Sequence, residues 1–199
     1  MAPSSSLDSR SIYVERWRID ISVRPGVARL LSHAALARTV TRGLEAAGAP
    51  QRASIGLILS DDSELAGLNA RHMGKDGPTD VLSFPLLSRA AFPDHPGRDP
   101  AAAAVPAAER AAPAIEFALP PGRRLYLGDI VVSVERAIDQ AGAGRGGQTG
   151  DVRWSAADEL RLLVTHGTLH VCGWDHAAPA EEASMRALEQ ELLGRQVTA

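Results

Sequence analysis

Three histidines near the C-terminal end, His166, His170 and His176, form the densest group of chemistry-bearing side chains in this sequence. They sit at i, i+4 and i+10 in the run His166-Gly167-Thr168-Leu169-His170-Val171-Cys172-Gly173-Trp174-Asp175-His176, with Gly173 at i+7. Residues four apart on an α-helix are offset by about 40° and share a face, so His166 and His170 point the same way, one turn apart. Gly173 offers the left-handed backbone that ends a helix without a Cβ penalty. A chain that doubles back there brings His176 round towards the other two. Three imidazoles with a fourth position left open form a catalytic zinc geometry, whereas a structural site closes its tetrahedron with protein ligands. A lone helical histidine is usually a packed or solvated residue. Here half of the six histidines in 199 residues fall within this one run, and the spacing favours metal ligation.

The metzincin proteases use the same histidine and glycine spacing, but they place a glutamate directly after the first histidine as general base. Gly167 stands there and has no side chain with which to move a proton. A peptidase is therefore disfavoured. Cys172 lies two residues beyond His170, on a different helical face, and reads as a small buried residue rather than a fourth ligand. Asp175 has two open readings, as an acceptor that orients a ligating imidazole or as a cap for the final helix.

The elements that must hold this cluster can be read along the chain. At 199 residues, with 45% apolar and 23% charged residues, it fits one soluble domain with a good core. A net charge of −3 advertises no broad nucleic-acid-binding field, so any RNA contact needs a local basic patch. The single Cys172 excludes an intrachain disulfide. No apolar run approaches the ~20 residues needed to cross a bilayer, and Met1-Ala2-Pro3-Ser4-Ser5-Ser6 lacks the apolar core of a signal peptide. The cytoplasm is the default compartment, and residues 1–11 are expected to form a disordered tail.

Trp17, Ile19, Ile21 and Val23 alternate with polar residues, the period of a strand with one buried face. Pro25-Gly26 ends it, and a helix is expected from Val27 to about Ala47. Ala53 to Leu59 is more continuously apolar and suits a central strand. Ser60-Asp61-Asp62 caps a short helix carrying Leu65 and Leu68. Val81 to Leu86 is a third strand, which Pro85 confines to a sheet edge or ends. Residues 88–122, rich in alanine and proline, read as a surface insertion. Leu125 to Ser133 is the fourth strand, Val134 to Ala141 a short helix, and Ala141 to Gly147 a flexible connector. Ser155, three residues before Asp158, resembles a capping box for the histidine helix, and Pro179 opens a last helix with Glu181 and Glu182 in its first turn. The expected fold is α+β, a single domain with a roughly four-stranded mixed sheet and about five helices. The histidines lie on a C-terminal helix and the turn after it.

The pattern His-Gly-x-Leu-His-x-x-Gly-x-Asp-His at 166–176 resembles the signature of the YbeY family of bacterial rRNA-maturation endoribonucleases. Two further stretches resemble the same family in the same order. They are Leu68-Asn69 through Lys75-Asp76-Gly77-Pro78-Thr79-Asp80-Val81-Leu82-Ser83-Phe84-Pro85, and Leu127-Gly128-Asp129-Ile130-Val131. The match covers most of residues 12–193 apart from the Ala/Pro insertion.

The resemblance implies a single-strand-specific, metal-dependent endoribonuclease. It acts in maturation of the 16S rRNA 3′ end and in ribosome quality control, with one zinc ion held by His166, His170 and His176. Its partners would be single-stranded precursor RNA and the small ribosomal subunit, with neither DNA nor membrane expected. The family usually carries an arginine, thought to hold RNA phosphate, where this chain has Met73, and a tyrosine where it has Trp174. Arg71 and Lys75 are the nearest motif-borne cations, with ordinary solvated loop charges as the plainer reading, and no residue is assigned the activation of water. Of the aromatics, Trp17 suits a core strand better than an RNA-stacking surface, which leaves Tyr126, Trp154 and Trp174. A ribosome assembly factor with a mainly structural metal is the alternative, favoured by the loss of arginine at Met73.

Overall fold

The computed structural model describes residues 8–96, 123–143 and 154–194. Among these, five strands and five α-helices follow in the order β1 (Asp8–Val14), β2 (Trp17–Val23), α1 (His33–Ala46), β3 (Ala53–Ser60), α2 (Asp62–Met73), β4 (Val81–Pro85), β5 (Leu125–Ser133), α3 (Val134–Gly142), α4 (Ala156–Val171) and α5 (Pro179–Gly194). The strands form one mixed sheet in the order β1-β2-β3-β5-β4. Pairing is parallel for β2–β3 and β3–β5 and antiparallel for β1–β2 and β4–β5.

The apolar patterns place these elements. In β2 the residues alternate strictly between buried and half-buried, with Trp17, Ile19, Ile21 and Val23 inward. The central β3 is buried almost throughout, and Ile55 and Leu57 are fully enclosed; each such side chain contributes about 1.5–3 kcal/mol. β4 lies at the sheet edge and ends at Pro85, which has no N–H for a further ladder. Helix α2 covers one face of that edge, where Leu65 packs with Leu82 and Val131.

The expected architecture holds, with one strand more than expected. β1 pairs along its whole length with β2, so residues 8–11, expected as tail, belong to the sheet; residues 1–7 lie outside the described residues. The first helix begins at His33 rather than Val27, because the Ser32 hydroxyl accepts the Ala35 N–H and caps it there. Val27, Leu30 and Leu31 pack on the core from a non-helical segment. The insertion expected at 88–122 is described only as far as residue 96, and the connector expected at 141–147 only as far as residue 143.

Helix α4 carries two of the three histidines and is the hub of the remaining elements, packing against α1, α3, α5, β4 and β5. Its start has the expected capping box, with Ser155 Oγ accepting from Asp158 N and Asp158 Oδ2 accepting from Ser155 N. Leu160, Val164, Leu169 and Val171 are fully buried.

The stretch Leu127-Gly128-Asp129 serves the sheet. Between Ser54 and Gly56 the β3–β5 register shifts by one extra residue on β5, a β-bulge. Across it the Tyr126 hydroxyl donates to Asp129 Oδ1 at 2.6 Å, over a position without a side chain. A Cβ on Gly56 would collide with Asp129 Oδ1 and meet Tyr126 Oη at 2.6 Å. Burial and this carboxylate both push the Tyr126 phenol upward, so it remains a donor. Gly56→Ala is expected to displace the pair and lower stability by about 1–3 kcal/mol, the usual cost of overpacking, read as a shifted urea midpoint at unchanged slope.

Candidate metal centre

The three histidines converge. Their ring centroids lie 4.5 Å apart for His166–His170, 5.0 Å for His170–His176 and 5.7 Å for His166–His176, and one nitrogen from each ring falls within 4.8 Å of the others. His166 and His170 lie one turn apart on α4 as their spacing predicts. The helix stops at Cys172, Gly173 adopts φ +84°, and the chain turns back with His176.

Hydrogen bonds decide which nitrogens face the centre. His166 Nδ1 lies 2.7 Å from Glu189 Oε1, and His170 Nδ1 lies 2.9 Å from the Trp174 carbonyl oxygen. Both partners are acceptors, so both Nδ1 atoms carry the proton. The two Nε2 atoms face each other at 3.0 Å, and in the neutral rings they are the nitrogens left free to bind a cation. Two lone pairs so placed repel unless a proton or a metal ion lies between them. Two zinc-bound imidazole nitrogens at ~2.05 Å in a tetrahedron would be about 3.3 Å apart. The donor set and its tautomers thus fit a metal such as zinc.

The electrostatics agree. Burial, with His166 and His176 beside it, holds His170 down at about 4, so at neutral pH its ring is the uncharged form a metal needs. Cys172 is fully buried and its thiol is pushed up to about 12 by that burial. It does not join the three histidines in their cluster.

Gly167 has a packing reason. A Cβ there would meet Ile130 Cγ2 at 2.6 Å and Val81 Cγ2 at 3.0 Å, and the Ser83 hydroxyl donates to the Gly167 carbonyl at 3.1 Å. The residue after the first histidine faces the sheet at close contact. No glutamate fits there, which removes the protease base on steric as well as chemical grounds.

Of the two readings open for Asp175, the imidazole acceptor is not realised. Its Oδ1 accepts from the His176 backbone N–H at 2.8 Å, and its Oδ2 lies 3.8 Å from Arg89 Nη1. The carboxylate on the imidazole is Glu189, 23 residues from His166 and 3% exposed. Its only signal in the sequence is a charged residue on the apolar side of α5 among Met185, Leu192 and Leu193. Arg71 and Lys75 lie in or just after the last turn of α2, both exposed, and Met73 between them is 47% exposed.

Among the aromatics, Trp17 is core and donates to the Pro50 carbonyl, and Trp154 donates to Glu159 Oε2. Trp174 is buried under the ring of His95, stacked at 3.9 Å. Two clefts flank His166. One, of about 200 Å³, is lined by His166, His176, Glu182, Met185, Arg186 and Glu189. The other, of about 240 Å³, carries Asp80, Glu159 and Glu189.

Comparison with known proteins adds an independent finding. Residues 27–196 match the family described as "Endoribonuclease YbeY". A protein of that name from Salinispora tropica is 42% identical over 152 residues, covering 75% of this chain and 78% of the relative. One from Roseiflexus sp. is 34% identical over 176 residues, 88% of this chain and 90% of the relative. Another, from Symbiobacterium thermophilum, is 36% identical over 158 residues, covering 78% and 81%.

Because a carboxylate on the far nitrogen of a metal-bound imidazole raises its basicity and fixes the ring, Glu189→Gln is expected to weaken any metal binding by this cluster 10–100-fold. Competition with a chromophoric chelator measures this directly.

Proposed function

Since this chain belongs to the YbeY endoribonuclease family, we propose that it is a zinc-dependent endoribonuclease that cuts single-stranded RNA. Its role is maturation of the 16S rRNA 3′ end and quality control of ribosomes, on or near the small ribosomal subunit in the cytoplasm. No helix among the described residues is long and apolar enough to cross a membrane. The observation that carries the metal part is the convergence of the three imidazoles, with His166 Nε2 and His170 Nε2 3.0 Å apart and His176 beside them.

His166, His170 and His176 are the proposed ligands, and one zinc ion is the proposed cofactor. When bound, zinc supplies Lewis acidity towards a phosphoryl oxygen and lowers the pKa of water towards neutrality. The chain's own groups do the rest. Glu189 and the Trp174 carbonyl hold the two helical imidazoles in the tautomer that ligates. Buried Val171 and Leu169 fix the backbone beneath them.

Cleaving a phosphodiester also needs positive charge near the developing oxyanion. Arg186 is the arginine lining the cleft shared by His166 and His176. Its present partner is Glu182 at 2.6 Å, with both side chains well exposed. Such a surface pair contributes only about 0–1 kcal/mol, so the guanidinium exchanges readily onto an RNA phosphate. The acidic cleft on the other side of Glu189 directs the RNA backbone towards α5.

Purified protein is expected to cleave single-stranded RNA and not a peptide, to lose activity with chelator and regain it with zinc, and to be inactive as His170→Ala. Cleavage that persists in His170→Ala would sink the metal-nuclease reading, and a folded, zinc-loaded protein without turnover would instead support an assembly factor. Arg186→Gln is expected to weaken RNA binding alike for all sequences. It should also flatten the salt dependence by roughly 0.7 in the slope of log K against log salt, one phosphate contact on a single strand.

A further inference from the structure

The third ligand is held differently from the other two. Among the described residues the His176 ring forms no hydrogen bond, whereas His166 and His170 are each anchored through Nδ1. His176 is also exposed and lies beyond the end of α4, so beyond its ring contacts with His166 and His170 neither helix packing nor a hydrogen bond to the ring fixes it.

What does reach it is its own backbone. The His176 N–H donates to Asp175 Oδ1 at 2.8 Å, and Asp175 Oδ2 faces Arg89 Nη1 at 3.8 Å. Arg89 Nη2 donates in turn to Glu181, a carboxylate 5% exposed in the first turn of α5. One guanidinium thus ties the turn before α5 to the helix itself.

The strap that carries Arg89 is seated on the same turn. Arg89 Cα lies 3.3 Å from where a Cβ on Gly173 would be. Further along, His95 stacks on Trp174 at 3.9 Å and 11°, and its Nε2 lies 3.6 Å from Glu181 Oε1. Trp174 is the residue whose carbonyl anchors His170. Residues 88–96 therefore clamp the whole Gly173–His176 turn from outside.

We propose that Arg89 is a positioning residue for the metal centre, acting through Asp175 on the third ligand His176. This rests on the reading of the three histidines as a metal site. The start of the Ala/Pro-rich segment thereby completes the site that α4 alone leaves two-thirds built.

The test is zinc affinity of the full-length protein, by competition with a chromophoric chelator, together with the visible absorption of the cobalt-substituted form, which reports ligand number and geometry. Arg89→Met is expected to weaken zinc 10–100-fold, the range for outer partners of metal ligands, and to shift the cobalt spectrum. Asp175→Asn, which leaves the Arg89–Glu181 pair intact, is expected to do the same, and it decides the matter if Arg89→Met fails to fold. In a His176→Ala background, Arg89→Met should bring no further loss of affinity.

Unchanged zinc affinity in the variants, or a loss of the same size with and without His176, overturns the positioning role while leaving the metal site standing. Failure of the unmodified protein to bind zinc overturns the metal reading and this role together.

Discussion

The contact on which the site depends is the seating of α4 on the sheet at Gly167. With no side chain there, the helix backbone approaches Ile130 and Val81 closely enough for Ser83 to bond the Gly167 carbonyl. A second close approach, where a Cβ on Gly43 of α1 would meet Thr168 Cγ2 at 2.9 Å, sets the helix from the other flank. Together these contacts fix its height and rotation. His166 and His170 are then left partly exposed while Gly167, Thr168 and Leu169 are buried. The orientation of the two histidines is a consequence of packing, and close-packed interiors do not flex to accommodate an extra methyl group. The same constraint separates this chain from the proteases that share its histidine spacing. Where they have a base, this fold has contact between helix and sheet.

Around that rigid pair the remaining parts of the site come from elements that pack on α4 rather than belong to it. Helix α5 contributes Glu189 to the imidazole of His166 and Arg186 to the neighbouring cleft. Arg186 shares its cleft with Glu182 and Glu189, while the lining of the cleft on the other side of His166 has carboxylates and no arginine or lysine. A buried carboxylate such as Glu189 is costly unless partnered, and its partner here is an imidazole N–H. The tautomer this enforces is the one that presents Nε2 outward. The charge that is expensive to bury is thus what orients the His166 ring in the cluster.

The residues carrying strong local signals were legible in the sequence. The alternation in Trp17–Val23, the apolar run of Ala53–Leu59, Pro85 at an edge and the Ser155–Asp158 capping box each reflect short-range physics, and each appears as read. The histidine triad was legible because helix geometry converts spacing into a shared face. β1 was not. Its residues Asp8-Ser9-Arg10-Ser11 are polar, only Ile12 and Val14 pack on the core, and an edge strand needs little more. The first helix was read too early because Val27, Leu30 and Leu31 mimic a helical stripe while packing on the core from irregular chain. Glu189 and Arg89 were beyond reach. His166 lies 23 residues from the first and Glu181 lies 92 from the second, and no periodicity links them.

Composition marks where the insertion starts but not what its first residues touch. The Ala/Pro-rich character begins near residue 88, yet the residues up to 96 are part of the folded body. Phe92 is buried in the main core, and Pro93 lies against Gly48. A 3-10 turn at Arg89–Ala91 brings Arg89 beneath Gly173. Composition describes what a segment costs to order, not what it touches. Here the cost is offset by an aromatic inserted into the core at one end and an imidazole stacked on Trp174 at the other. Those two anchors hold the segment against the outer surface of the turn that carries His176, although composition alone would assign it to a surface insertion.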